Sequence, residues 1–405
     1  MNILVLSRQQ AALAPFHDWL GPAISHARLF TTPDQASGHS GFAEIRTFEA
    51  YETTALIDLE VVRLHRTWPI DRIIATSEVD ILRAGRLRTR LGLAGQSGPS
   101  ALAFRNKIVM KQYVAAAATL LRVPRFQAID EAQTILDFIE THGYPVIIKP
   151  DDGSGSRGTH IIRDETALAA FLKAGVTRGL EIEQFITGDQ YHIDGLVIDD
   201  EVILCWPSKY VGDCLSYTKE SFTGSHLLAP DHPLTMRLIA AAREVLRILP
   251  TPQSTSFHLE VFHTPDDQLF FCEIASRTGG GLVNATIEEA FGLNLNRLFV
   301  QAQADMPIAA AELRARARAP QALLGWGLVP PQAGVFLGAR HQHPDMPWVR
   351  HFAWTLRPGT KSHGAQLSVD QVANFMVEFG DQAGAEERLV ATWQWATNQA
   401  QWEVS

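Results

Sequence analysis

The chain has 405 residues, 46% of them hydrophobic, and a formal net charge of -9, which allows a large core in two or three domains and argues against a general nucleic-acid or membrane-surface binder. Its three cysteines, Cys205, Cys214 and Cys272, lack CxxC spacing, so a zinc site or disulfide framework is a poor reading. No apolar run approaches the roughly 18 to 20 residues that span a bilayer, and the start "MNILVLSRQQ" has no basic leader or small-residue cleavage site, so a reducing, cytoplasmic setting is expected.

"NILVLS" and "DRIIATS" are short β-rich runs bounded by turn formers, and "TALIDLEVVRLHRTW" between them has helical spacing. "VDILRAGRLRTRLGL" predicts a helix ending near Gly92. This alternation favours a small doubly wound α/β unit, with a boundary in the small-residue stretch Ala94 to Ser100. "FRNKIVMKQYVAAAATLLRVP" predicts a helix running up to the Pro124 breaker. "YPVIIKP" and "GTHIIRD" form a hairpin around a glycine loop, "TALAAFLKAG" a helix and "LEIEQFI" a strand. "QYHIDGLVIDDEVILCWPSKY" holds two strands joined at "IDDE", and "DHPLTMRLIAAAREVLRIL" is a long amphipathic helix. "STSFHLEVFHTPDDQLFFCEIASRTGGG" reads as a β-hairpin turning at "TPDDQ". "ELRARARAP" is a basic helix end or linker, and mixed strands and helices follow, with no internal repeat.

Lys149 ends an apolar run beside "DDGSGSRG", where Gly153, Gly155 and Gly158 free the backbone N–H groups to wrap phosphate oxygens. The lysine precedes the glycines, so this is no Walker A loop, and GxGxxG is not matched. A flexible hairpin turn with a solvated lysine is the competing reading. Glu260 in "FHLEVF" and Glu273 in "FFCEIASR" fall on adjacent strands of the second hairpin, each among large apolar neighbours. Facing carboxylates repel unless a divalent cation lies between them, and Mg²⁺ commonly uses one or two carboxylates plus phosphates. The alternative is that each glutamate pairs with a cation such as Arg277. Arg277 itself opens the turn "SRTGGG" and offers a planar fork for a carboxylate or a phosphoryl group. "EIEQFITGDQYHIDG" supplies a strand edge turning at Gly188, where backbone groups can read an adenine edge; an ordinary strand end is the plainer reading. The polar segment "SKYVGDCLSYTKESFTGSHLLAP" suits a substrate loop or a surface excursion, with Lys209, Tyr210, Ser225 and His226 as candidates. His226, His232, His258, His263, His341 and His343 show no trustworthy ligand spacing and read as surface or satisfied core histidines. There is no GxSxG and no cysteine in a reactive setting.

The order of "FRNKIVMK", "IIKPDDGSGSRG", "EQFITGDQYHIDG" and "HLEVF…FFCEIASRTGGG" resembles the ATP-grasp superfamily of carboxylate–amine ligases, and within it the amino-acid ligase branch that makes dipeptides and related amides. The resemblance covers nearly the whole chain. It implies an α/β (α+β) ATP-grasp fold with a Rossmann-like N-terminal domain over 1–100, a lid domain with the glycine-rich flap over 101–182, and a C-terminal domain with the metal site and substrate pocket over 183–405. It further implies that Lys107 and Lys149 contact the α- and β-phosphates of ATP. Gly153, Ser154, Gly155, Ser156 and Gly158 form the flap. Glu183 and the Gln184–Phe185–Ile186 backbone hold adenine, and Gln190 takes a ribose position where many relatives place glutamate. Glu260 and Glu273 hold Mg²⁺ or Mn²⁺, Lys149 and Arg277 serve the chemistry, and Lys209, Ser225, His226, Gly280 and Asn284 line the substrate pocket. The partners implied are a small carboxylate and an amine, with no nucleic acid or membrane; dimers are common in such families, so a homodimer is compatible. One departure stands out. Many relatives read Glu-x-Asn-x-Arg where this chain has Glu273-Ile-Ala275-Ser-Arg277. Alanine cannot ligate, so Ser276 or water fills the gap, or one metal is held more loosely. The expected function is an ATP-dependent ligase releasing ADP and phosphate through an acyl phosphate. The alternatives are a carboxylase-like or nucleotide-precursor ligase, and a non-catalytic ATP-binding protein.

Overall fold

The first strand, Ile3–Leu6 (β1), is an unbroken apolar run buried at every residue, as a central parallel strand covered on both faces requires. In the computed structural model, which describes residues 1–153, 155, 157–212 and 222–403, β1 pairs in parallel with Ala27–Thr31 (β2) and Arg72–Ala75 (β4), and Glu44–Thr47 (β3) extends the sheet beyond β2. Leu4, Leu6 and Phe30 pack on the helices Leu56–Thr67 and Glu78–Leu91. The second of these stops where Gly92 turns left-handed, φ 67°, a conformation glycine adopts without a Cβ penalty. On the opposite face Ile3, Val5 and Phe16 meet Val300 and Ala304, from or just after the late helix Leu295–Gln303. The N-terminal unit is thus docked against the distal part of the chain.

The next sheet is antiparallel, ordered β5-β8-β6-β7, from Phe126–Ile129 (β5), Val146–Pro150 (β6), His160–Ile162 (β7) and Leu180–Gln184 (β8). Its pairing runs through Gln184, which is matched with Val146, so the sheet continues past the boundary expected at 182. Ile148, Ile162 and Ile182 join Ile135, Phe138 and Leu168 of two covering helices. Strand alternation then turns Lys149, Glu181 and Glu183 to the other face.

The largest sheet follows Asp189–Ile198 (β9), Glu201–Val211 (β10), Thr223–Leu227 (β11), Thr255–His263 (β12), Leu269–Ala275 (β13), Leu323–Val329 (β14), Val349–Trp354 (β16) and Ala373–Phe379 (β18), in the order β13-β12-β9-β10-β11-β14-β18-β16. Ala333–Ala339 (β15), Lys361–His363 (β17) and Ala400–Glu403 (β19) form a small separate sheet. Tyr191, Ile193, Phe257, Leu259 and Val261 bury one face of the large sheet against the helices Lys107–Ala117 and Thr235–Ile248. The helix at Lys107 ends well short of Pro124. Glu244 takes the Thr119 and Leu120 N–H groups at 3.0 and 2.9 Å, and Arg122 bridges to Phe270, so tertiary partners replace helical ones. No helix among the described residues is long and apolar enough to cross a membrane.

Candidate active site

The hairpin β12–β13 places Glu260 opposite Glu273 as register partners, and the register slips immediately afterwards, from Glu260/Glu273 to Val261/Phe271. The extra residue on β13 is Cys272, whose thiol lies 3.9 Å from the Glu260 carboxylate. Glu273 accepts Lys107 Nζ at 2.9 Å. Burial pushes the Glu273 carboxyl up, but Lys107 and Lys149 outweigh that and hold it at about 2. Glu260 Oε1 accepts from Tyr210 at 3.0 Å, and its Oε2 accepts from Gln190 at 2.9 Å. Gln190, expected at a ribose, is therefore engaged at the carboxylate pair. This donor set suits a hard divalent cation completed by phosphate oxygens: two carboxylate side chains, fixed in register on adjacent strands. Glu260 and Glu273 would hold it.

The lid sheet sets its cations against this hairpin. Lys107 Nζ also donates to the Gly153 carbonyl at 2.8 Å, joining the flap base to Glu273. Asn106 and the Lys107 N–H bind Asp151, so the start of the helix grips the same loop. Gly155 and Gly158 have φ of 62° and 70°, where a side chain is strained; Ser154 and Ser156 lie outside the described residues. Lys149 Nζ reaches Glu183 at 2.5 Å and Glu181 at 3.6 Å. Burial works against the charge of Lys149, but Glu183 and its acidic neighbours lift its pKa well above the ordinary lysine value. Lys111, fully buried and one helical turn after Lys107, bonds Glu181 at 2.6 Å and Glu183 at a shorter distance. Burial alone raises the Glu183 carboxyl; Lys111 and Lys149 override it and hold it at about 2. The Glu183 side chain, expected at adenine, thus anchors two lysines, and the Gln184 N–H is given to Arg125 at 2.9 Å. Phe185 lies under the Arg163 guanidinium and leads into Ile186.

Arg277 does not pair with the glutamate pair. Its Nε donates to Glu78, the first residue of the helix Glu78–Leu91, which also binds Arg105. Burial raises the Glu78 carboxyl, and the two guanidiniums more than reverse this. Ala275 is followed by a Ser276 that is fully buried, its hydroxyl on Gln96 Oε1 at 3.1 Å. Ser276 therefore faces the N-terminal unit and does not replace the missing asparagine.

The proposed substrate residues separate by strand parity. On the Glu260 side, Ser225 bonds His192 Nε2 at 2.8 Å. Lys209 and His226 lie with Asp189, Glu386 and Gln382: Lys209 reaches Asp189 at 3.3 Å and Glu386 at 3.0 Å, and His226 takes the Gln382 amide at 2.7 Å. The structure does not bring these two to the carboxylates, because adjacent residues of one strand point to opposite faces. The segment that holds them is partly a strand pair, Ser208–Val211 against Gly224–Leu227, and its middle, 213–221, lies outside the described residues. Asn284 Oδ1 accepts the Asn296 N–H at 3.2 Å and ties two helices together. Gly280 lies beside Val369, 3.5 Å from where its Cβ would stand.

Residues 107–203 match the family model for the carbamoyl-phosphate synthase L chain, ATP binding domain. An L-arginine-specific L-amino acid ligase of Bacillus subtilis is 28% identical over 243 residues, 58% of this chain and 58% of that protein. The match thus spans under two thirds of that relative. Among solved structures, an L-amino acid ligase from Bacillus licheniformis is similar at TM-score 0.76 and 17% identity, over 100% of this chain and 99% of that one. Phosphoribosylglycinamide synthetase from Anaerococcus prevotii is similar at TM-score 0.69 and 13% identity, over 100% and 99%.

Proposed function

We propose that this chain, which has the ATP-grasp fold and is related to L-amino acid ligases, joins the carboxylate of an amino acid or small acid to the amine of an amino acid, converting ATP to ADP and phosphate. The observation that carries this reading is the convergence on one hairpin of the paired carboxylates Glu260 and Glu273 with Lys107, which also holds the flap. Mg²⁺ or Mn²⁺ held by the two glutamates would offset charge on the transferring phosphoryl group.

Lys107 and Lys149 place point charges on the phosphates and leave Glu273 and Glu183 when nucleotide arrives. The acid's oxygen attacks the γ-phosphorus, the bond to the β-phosphate oxygen breaks, and an acyl phosphate forms. Arg277 holds the acyl oxygen, and Glu78 fixes the fork of Arg277. The amine then attacks the acyl carbon, loses a proton, and inorganic phosphate departs as the amide forms. The 153–158 loop covers the acyl phosphate, which water would otherwise hydrolyse.

A matrix of amino acids and small acids with ATP, read by phosphate release and mass spectrometry, tests the proposal. Amide product with one ADP per coupling is expected. Turnover that needs bicarbonate in place of an amino acid, or no turnover with any pair, overturns it. Hydroxylamine should trap the acid as a hydroxamate.

A further inference from the structure

Beyond the residues already assigned, a buried chain of polar side chains runs across β9, β10, β11 and β12. Asp194 is 1% exposed, and both of its oxygens are committed: Oδ2 to His192 Nδ1 at 2.5 Å and Oδ1 to His258 Nδ1 at 2.8 Å. One carboxylate thus fixes two imidazoles by their inner nitrogens. The outer nitrogens are thereby aimed, His192 Nε2 at Ser225 Oγ, 2.8 Å, and His258 Nε2 at Glu260 Oε1, 3.3 Å. Tyr210 meets the same Glu260 oxygen and also lies 3.4 Å from His258 Nε2. A carboxylate that is to accept a cation needs its free lone pairs pointed one way, and groups behind it do the pointing. The turn after Arg277 is shaped to admit this assembly. A Cβ on Gly279 would stand 2.7 Å from His258 Nδ1 and 2.8 Å from Asp194 Oδ1, closer than real side-chain contacts allow.

We propose that Asp194, acting through His258, is a positioning residue that orients the Glu260 carboxylate toward the divalent cation of the nucleotide complex, and that Gly279 leaves the space this requires. The assignment rests on the function proposed above.

The test is titration of the full chain with Mn²⁺ in the presence of ADP, followed by electron paramagnetic resonance, alongside ADP binding without metal and thermal unfolding. In Asp194→Asn the amide nitrogen cannot accept an imidazole N–H, so one ring loses its anchor. The Mn²⁺ dissociation constant should rise about ten- to hundred-fold, while metal-free ADP affinity stays at the wild-type value. Gly279→Ala keeps every polar group and crowds His258; it should weaken Mn²⁺ in the same way, and it decides the matter if Asp194→Asn does not fold. Wild-type Mn²⁺ affinity in both folded variants overturns this inference and leaves the ligase proposal standing. Failure of the wild-type chain to bind Mn²⁺ with ADP overturns the ligase proposal, and this inference with it.

Discussion

Replacing Lys111 with methionine removes an ammonium that is fully buried between Glu181 and Glu183 and keeps most of its volume. Glu183 sits at about 2 in the fold against 4.5 ordinarily, with Lys111 the larger of the two lysine contributions that overcome its burial. At about 1.4 kcal/mol per unit, the whole depression is worth about 3 kcal/mol, of which Lys111 supplies the greater part. Breaking a buried ion pair by removing one partner costs about 3 to 5 kcal/mol, and Glu181 also loses its nearest cation. A loss of about 3 kcal/mol at pH 7 is therefore expected. The pH dependence has a definite sign. The folded pKa of Glu183 is depressed, so its stabilisation is fully present above the unfolded value of 4.5 and disappears as pH falls toward about 2. The variant lacks much of that stabilisation, so the two proteins should begin to converge in stability as pH falls below about 4.5 and approach one another toward about 2. Urea unfolding of both proteins at several pH values between 7 and about 2.5 measures this. A deficit that is constant with pH, or well under 1 kcal/mol at pH 7, refutes the electrostatic account and points to packing alone.

Glu273→Gln and Lys149→Ala should each lower ATP-dependent amide formation by about a thousandfold, and a near-normal rate in either sinks the site assignment. Gly195→Ala should cost about 3 kcal/mol in chemical denaturation, because its Cβ would lie 2.2 Å from the Leu204 carbonyl and 2.4 Å from the Phe257 ring; wild-type stability would mean the β9–β10–β12 packing is wrong. Lys209→Ala should leave the Michaelis constants of both substrates unchanged and cost under about 1 kcal/mol, since its partners Asp189 and Glu386 are more than half or half exposed; a raised constant for either substrate would return Lys209 to the pocket.

Much of the site is legible in sequence because its signals are local. Lys149 closes an apolar run beside three glycines, and Glu260 and Glu273 interrupt apolar strands on either side of a short turn. Such residues look costly where they stand, which marks them. Lys111 carries a signal of its own: it follows Lys107 by four residues on a helix, so the two share a face. His192 and Asp194 likewise alternate on one strand face, and His258 meets them only through the pairing of β9 with β12. Lys209 and His226 fall on the face away from the carboxylates, because a strand decides side-chain direction by odd and even positions and a polar, turn-rich segment gives no sign in sequence of the pairing that sets that parity. Glu78 and Arg105 carried no local mark; the Glu78–Arg277 contact joins positions 199 residues apart.

That last contact has a consequence for how the chain can be divided. Glu78 belongs to the first sheet's helical layer, Arg105 to the connection, and Arg277 to the far end of the large sheet. Gln96 and Ser276 repeat the arrangement nearby, as do Gln303 with the Ala75 N–H and Arg88. A chimaera that exchanges the first hundred residues for those of a relative would leave Arg277 without its acid partner unless the incoming unit supplies a carboxylate at the same helix start. The N-terminal unit is therefore not an interchangeable module, because it carries the acid that steadies Arg277.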